Sequence, residues 1–406
     1  MTHSHDEMVT RREAVSLVET LREESLEGRK ARRVSVTEAC SGRVLAESVR
    51  AQRDDPTRST ATMDGYAFDA TEAYPFEVVE FAVFPEDDPP TIEVDQAVRV
   101  ATGAPIPERA NAVLKKEEAT VENGTLSGPE IEPGTYVYEQ GSNVSAGEQL
   151  FEPGEQLAPR DAILLHDLGI ESVSTCDPFD VGLVATGTEI HEGRSRDLDS
   201  PMLAALVRSW GHVPTVEGSA PDEYDRVVRA IEETAASHDV VMTTGGTSVG
   251  KKDHVIRALD SLGEVIFHRV RIRPGKPLAA ARLPDHDAVA FAIPGKPVGA
   301  HTVASLVVRP FFTETDDIAT IPATAAADVT VSVPGFEYAI PVRLRDGDAI
   351  PLGHATSELD VYGDTFDPSV LSSSTRATRA DGFVLTEDGF EQGSTVDVTP
   401  HTVLEP

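Results

Sequence analysis

Lysine is nearly missing from this chain. Seven of its 406 residues are lysine (Lys30, Lys115, Lys116, Lys251, Lys252, Lys276 and Lys296), and arginine supplies the other 28 of 35 basic residues. Cysteine is scarcer still. Cys40 and Cys176 give no disulfide framework, which points to a cytoplasmic protein rather than a secreted disulfide scaffold. No apolar stretch reaches the roughly 18 residues that a bilayer-spanning helix needs, so no membrane role of that kind is expected. The start, Met1-Thr2-His3-Ser4-His5-Asp6-Glu7, lacks the basic and apolar regions of a signal peptide. Positive charge is short overall: 35 Lys and Arg face 69 Asp and Glu, a net charge of −34, which argues against nucleic acid as a partner. The acids run along the whole chain. That pattern suits a halophile-like surface, which stays hydrated in concentrated salt while screening removes its self-repulsion.

A chain of this length exceeds one compact core and implies two to four domains. The spacing of Val9, Ala14, Val15, Val18, Leu21 and Leu26 predicts an amphipathic helix over 7–27. Residues 53–143 read as a β-rich domain with the runs Phe76–Val83, Ala97–Ala101 and Ala112–Lys115. Residues 1–52, joined with 144–177, read as a linker-type domain that holds a short helix over 159–169. The stretch 178–315 alternates strands and helices. Its strands are Val181–Ala185, Val213–Val216, Asp239–Met242, Val265–Ile272, Leu278–Leu283 and Ala288–Ile293. Its helices are Met202–Trp210, opened by Ser200 as N-cap and Pro201, then Asp222–Ser237, Asp253–Leu262 and Val298–Phe312. This rhythm predicts a multidomain α/β plus β protein whose central domain is a doubly wound, mostly parallel sheet. Residues 316–406 lose the helical period. They read as a small C-terminal β domain with strands Val329–Val333, Ala339–Leu344, Gly382–Leu385 and Thr395–Val398.

Three glycine-bearing turns follow strands of the central domain: Thr243–Gly250, Ile272–Pro277 and Ile293–Gly299. Glycine lets backbone N–H groups approach a ligand, and hydroxyls and lysines add donors and positive charge, so the set suits a phosphorylated or oxyanionic ligand. In open α/β sheets ligands bind beyond the carboxyl ends of the strands, where Thr186-Gly187-Thr188-Glu189, Thr244–Gly250 and Pro294–Pro297 all fall. Alternation along His268–Arg273 would put Arg269, Arg271 and Arg273 on one face, either as a solvated charge run or as part of an anion site. Arg273 and Lys276 flank a rigid Pro274-Gly275 turn and favour the anion site. Glu189, Asp222 and Asp253 sit at strand-to-helix junctions. Each could bridge magnesium to a phosphate, while Asp222 and Asp253 could equally be helix caps. Asp64-Gly65 could be an ordinary turn.

Taken in order, Met63–Ala67, Val98–Pro105, Ala185–Glu189, Thr244–Gly250, Arg273–Pro277 and Pro294–Val298 resemble the molybdopterin molybdenumtransferase family, whose eukaryotic relatives include gephyrin. The resemblance covers nearly the whole chain. It implies four domains, an elongated homodimer, and an active site on the α/β domain completed by the partner's β-rich domain. The implied reaction joins molybdate to adenylylated molybdopterin, with Mg2+, and releases AMP. It further implies Asp64, Glu189, Asp222, Asp253 and Lys276 as catalytic residues, with Asp64, Asp222 and Glu189 toward the metal. Thr102, Thr186, Gly187, Thr244, Gly245, Gly246, Ser248, Gly250, Arg273, Pro294, Gly295, Lys296 and Arg376 would bind the pterin nucleotide or the oxyanion. The implied partner for substrate hand-over is the molybdopterin adenylyltransferase.

The chain departs from the family pattern mostly around the oxyanion. Arg273 replaces the first lysine of Lys-Pro-Gly-Lys-Pro. Lys296 replaces the asparagine of Pro-Gly-Asn-Pro, and Gly299 the serine just after it. Gly141-Ser142-Asn143-Val144 replaces Gly-Glu-Asp-Ile. Thr188 stands where an acid is common, and Pro341 and Arg376 stand where an arginine and a serine are usual. These changes bear on oxyanion insertion more than on pterin-nucleotide binding. They keep tungstate and a non-catalytic pterin-binding scaffold open as alternatives; a third is the adenylyltransferase of the same pathway, which shares the α/β domain but lacks flanks like 53–143 and 316–406.

Overall fold

The computed structural model describes residues 8–246, 253–313 and 318–405. The chain divides into two compact units. The smaller spans Leu45–Pro153 and Pro159–Val173; the larger spans Met1–Val44, Gly154–Ala158 and Ser174–Pro406. Among the described residues no helix is long and apolar enough to cross a membrane.

The smaller unit is built on a six-stranded sheet of β1 (Gly65–Phe68), β2 (Phe76–Val83), β3 (Gln96–Val100), β4 (Ala112–Lys115), β5 (Thr120–Glu122) and β6 (Thr125–Ser127), in the order β4-β1-β3-β2-β6-β5. Alternation gives it two apolar faces. Ala67, Val98, Val100 and Val113 pack on one, and Phe68, Ala97 and Leu114 on the other. Gly65 is obligatory at the start of β1: a Cβ there would lie 2.0 Å from the Leu114 carbonyl oxygen.

The larger unit opens with helix α1 (Arg11–Leu26), closed at its N-terminus by a Thr10–Glu13 capping box. Its main sheet uses β7 (Asp180–Thr186), β8 (Val213–Ala220), β9 (Val240–Thr244), β10 (Glu264–His268), β12 (Ala279–Leu283) and β13 (Ala288–Ile293), while the short β11 (Ile272–Arg273) belongs elsewhere. The order is β8-β7-β9-β13-β12-β10. The first four strands are parallel, but β12 runs antiparallel to both β13 and β10, so the sheet is mixed. Apolar runs carry no direction, and the short η-turn Pro284–His286 returns the chain directly into β13 with no crossover helix.

Helices lie on both faces of this sheet: α2 (Thr188–His191), α3 (Asp199–Ser209), α4 (Tyr224–Ala235), α5 (His254–Leu262) and α6 (Pro297–Val303). Val181, Leu183, Met242, Phe291 and Ile293 meet Leu203, Val207 and Trp210 of the α3 side. Val241, Ala281, Ala290 and Ala292 face Val227 and Ile231 of α4 and Val255 and Leu259 of α5. The helix that starts at Pro297 does run to Phe312, but through a wider π segment at Ala304–Val308.

Five strands then close a barrel: β14 (Ile321–Ala325), β15 (Glu337–Arg345), β16 (Asp348–Pro351), β17 (Gly382–Thr386) and β18 (Thr395–Pro400), in the order β15-β16-β14-β18-β17, with β17 pairing back to β15. β11 adds to it beside β15.

Four local expectations are corrected. Val329–Val333 is no strand and makes only isolated bridges, through Val329 and Thr330. Val265–Ile272 is interrupted: Arg269 has φ +71 and Val270 bridges Val9, so Arg269, Arg271 and Arg273 do not share one strand face. α3 begins at Asp199 and not after Ser200, because Asp197 accepts from the N–H groups of Asp199 and Ser200. α4 begins at Tyr224 with no side-chain cap, so Asp222 does not cap it.

Candidate active site

A cleft of about 610 Å³ lies at the carboxyl ends of β7, β9 and β13, within the larger unit. Its floor is backbone held against backbone. The Thr186 hydroxyl donates to the Thr244 carbonyl at 2.9 Å, and Gly245 N–H donates to the Ile293 carbonyl at 3.1 Å. Gly245 (φ +80) and Gly246 (φ +63) take conformations that L side chains rarely adopt. A Cβ on Gly245 would meet the Thr186 carbonyl oxygen at 2.5 Å, and one on Gly295 would meet the Gly245 Cα at 2.8 Å. The turns after three parallel strands are therefore pressed together with no side chain between them. That leaves peptide groups as the surface a ligand meets.

Among the described residues three cations line the same cleft: Arg273, Lys276 and Lys296. The Arg273 guanidinium lies over the Phe336 ring at 4.5 Å, and the Lys276 ammonium lies 5.9 Å from that ring's centre. Neither forms an ion pair among the described residues, and Arg273 Nε is buried without a hydrogen-bond partner there. Lys296 is committed differently. Its ammonium donates to the Ser369 carbonyl at 2.8 Å and so ties the turn after β13 to the short helix α7 (Pro368–Leu371).

The acids of the cleft are Glu189, Asp222 and Asp199. Glu189 and Asp222 are exposed. Asp222 is joined to Thr188 reciprocally: Asp222 N–H donates to the Thr188 hydroxyl at 3.0 Å, and Asp222 Oδ2 accepts from Thr188 N–H at 3.4 Å. Thr188 thus fixes Asp222 at the rim without neutralising it. Asp199 is buried, and desolvation, reinforced by the Asp197 charge, pushes its carboxyl up to about 6.

Of the residues singled out from sequence, the cleft brings together Thr186, Gly187, Glu189, Asp222, Thr244, Gly245, Gly246, Arg273, Lys276, Pro294, Gly295 and Lys296. Ser248 and Gly250 lie outside the described residues. Asp253 is not among the lining residues. It caps α5 by accepting from Ile256 N–H at 3.4 Å, and burial raises its carboxyl above the usual range. Arg376 sits in the turn Thr375–Arg379 and does not line the cleft; Ser369 and Ser372 do. Asp64 and Thr102 belong to the smaller unit, where Asp64 Oδ1 accepts from both the hydroxyl and the N–H of Thr102 at 2.7 Å. These two bonds, the hydroxyl's first, hold the Asp64 carboxyl below the usual range. Asp199, Ser369 and Ser372 escaped the sequence reading. The one available signal was the pair Asp197 and Asp199, two acids where a helix start needs one.

Residues 9–169 match a family model described as the MoeA N-terminal region (domain I and II), and residues 182–314 match one described as a probable molybdopterin binding domain. A protein of Methanocaldococcus jannaschii, whose name assigns it to molybdopterin biosynthesis, is 28% identical over 392 residues, 92% of each chain. The molybdopterin molybdenumtransferase of Synechococcus elongatus is 31% identical over 289 residues, 66% of this chain and 72% of the relative. The crystal structure of the molybdopterin biosynthesis MoeA protein from Pyrococcus horikosii superposes with a TM-score of 0.69 at 25% identity, covering 97% of this chain and 99% of that one.

Proposed function

This chain belongs to the molybdopterin molybdenumtransferase family, and on that premise we propose that its cleft inserts molybdate, or the similarly shaped tungstate, into adenylylated molybdopterin with release of AMP, a late step of molybdenum cofactor assembly. The observation that carries the reading is the convergence in one cleft of glycine turns, unpaired cations and rim acids. Phosphates and a tetrahedral oxyanion both need N–H and cationic donors; Arg273 and Lys276 supply the cationic ones, and the glycine turns let peptide groups approach a ligand, although Gly245 N–H is itself taken by the Ile293 carbonyl. The reaction balances in water: hydrolysis of the phosphoanhydride consumes one molecule, and a dithiol displacing one oxo group from molybdate releases one. Lys276, without a carboxylate partner among the described residues, is assigned to the oxyanion or to the phosphate that develops charge.

Magnesium fits the donor set. Glu189 and Asp222 are exposed carboxylates with no ion-pair partner among the described residues, and they are hard oxygen ligands of the kind that hold this ion through one or two carboxylates and substrate phosphates. Bound there it would supply Lewis-acid stabilisation of the cleaving phosphoanhydride. Asp64 and Thr102 of the smaller unit join this chemistry only through the homodimer that the family resemblance implies, from the second copy. The reading also includes a homodimer, a doubly wound central domain and receipt of substrate from the adenylyltransferase. Purified protein in concentrated salt should release AMP from adenylylated molybdopterin only when molybdate or tungstate and a divalent cation are present. Tight binding without AMP release would make the chain a scaffold. ATP-dependent transfer of the adenylyl group would make it the preceding enzyme.

A further inference from the structure

Asp199 is 7% exposed, yet it lines the cleft from the first turn of α3. The usual reason for an acid at that place is helix capping, and this work is already taken. Asp197 Oδ1 accepts from Asp199 N–H at 3.1 Å and from Ser200 N–H at 3.0 Å. Asp199 Oδ1 is left buried with no hydrogen-bond partner among the described residues, and so is the hydroxyl of Ser200. A buried carboxylate without a donor costs free energy until a ligand supplies one. Its carboxyl titrates near 6, so at neutral pH it is mostly ionised and can only accept hydrogen bonds.

The ligand group must therefore bring N–H donors and no negative charge. On the substrate proposed above, the phosphates and the oxyanion are excluded by repulsion. Adenine sets a single amino donor beside an acceptor nitrogen, which opposes the second carboxylate oxygen. The pterin differs. Its N3–H and 2-amino group present two parallel donors, the pattern a carboxylate accepts in a two-pronged fork. We propose that Asp199 is the pterin-reading residue of the cleft, accepting from the 2-amino and N3–H edge. This inference rests on the pterin-nucleotide reading of the site.

The test compares wild-type protein with Asp199→Asn and Asp199→Ala, with adenylylated molybdopterin and with AMP alone, by anaerobic titration, with magnesium and with EDTA. Asn keeps the shape but turns one acceptor into a donor, so both variants should weaken adenylylated molybdopterin by about tenfold to a hundredfold, with AMP affinity unchanged and the loss the same in EDTA. Equal binding by wild type and variants overturns the assignment. A matching loss for AMP overturns it too, because Asp199 would then serve the nucleotide. A loss that disappears in EDTA makes Asp199 a cation ligand and overturns it as well. Failure of wild-type protein to bind adenylylated molybdopterin at all overturns instead the functional reading beneath it.

Discussion

Gly275 is tightly held in the cleft wall, and Gly275→Ala measures how far the placing of Arg273 and Lys276 depends on it. The glycine has φ +116, and an added Cβ would lie 2.2 Å from Val303 Cγ1 and 3.3 Å from the Gly299 carbonyl oxygen. Two costs are separable. An alanine forced into that backbone region costs about 1–3 kcal/mol. Overlap with Val303 adds about 1–3 kcal/mol of overpacking, because Val303 is fully buried on a helix where a β-branched side chain has one favoured rotamer. The sum is about 2–6 kcal/mol. Val303→Ala alone loses roughly 2 kcal/mol of burial and packing, but in the double variant it vacates the space the new methyl needs. The double variant should therefore be more stable than the two single losses predict, by about 1–3 kcal/mol, the clash alone, while the backbone cost remains. Urea unfolding at fixed high salt reads all four corners of the cycle. Strict additivity, or a Gly275→Ala loss below about 0.5 kcal/mol, would refute the claim that this turn is held by close approach to α6.

Three further outcomes are expected. Lys276→Ala should lower kcat/KM for oxyanion-dependent AMP release by about tenfold to 150-fold, the worth of a hydrogen bond to a charged group. Its urea midpoint should stay unchanged, since Lys276 has no ion-pair partner among the described residues to strand. Glu405 is held down to about 2 by His301 and then His401, whose Nε2 and Nδ1 lie 2.6 and 3.3 Å from its Oε1. This folded-state value is below the ordinary 4.5, so the stabilisation is present above pH 4.5 and is lost as pH falls toward 2. With the Glu405 side chain 39% exposed, screening trims the contribution to about 1–2 kcal/mol; Glu405→Gln should lose that at pH 7, with a gap that closes on acidification. Asp199 carries the opposite sign. Its folded value of about 6 stands above the ordinary 3.8, so stability falls as pH rises between the two and stays low above them. Asp199→Asn should therefore stabilise the ligand-free protein at pH 7, by up to about 3 kcal/mol, and have no such effect below pH 4; a destabilised variant at pH 7 would show that the carboxylate is satisfied after all.

The glycine turns were legible because glycine after a run of strand residues is itself a local signal, whether the structure then uses it for a backbone conformation, as at Gly245 and Gly246, or for a close tertiary approach, as at Gly295. Gly245, Gly246, Gly275 and Gly295 all bear this out in φ or in the space left for a Cβ. The direction of β12 was not legible, because Ala279–Leu283 reads the same in either sense and only the short return to β13 decides it. Arg269 could not be placed either. Its positive φ stands next to the bridge of Val270 to Val9, a contact from the other end of the sequence. Asp199 was hidden for a related reason: Ser200 reads as the helix cap from sequence, and only the structure shows that Asp197 fills that role and leaves Asp199 inside the first turn.

The scarcity of lysine can now be weighed residue by residue. Lys251 and Lys252 lie outside the described residues, and Lys115 sits over the Tyr136 ring at 4.4 Å in the smaller unit. Among the described residues, two lysines reach the cleft, and they differ in what they can do. Lys296 is already spent on the Ser369 carbonyl, where an ammonium joins the turn after β13 to α7 and shapes the wall. Lys276 has no such tie, and it shares the Phe336 ring with Arg273. An ammonium is a compact, strongly hydrated charge, whereas a guanidinium is a flat fork that stacks on rings. In a chain that uses arginine almost everywhere, lysine at 276 beside arginine at 273 supports the proposal that the two differ in duty: the arginine stacks on Phe336, and the lysine, with no ion-pair partner among the described residues, is the one proposed to meet the anion.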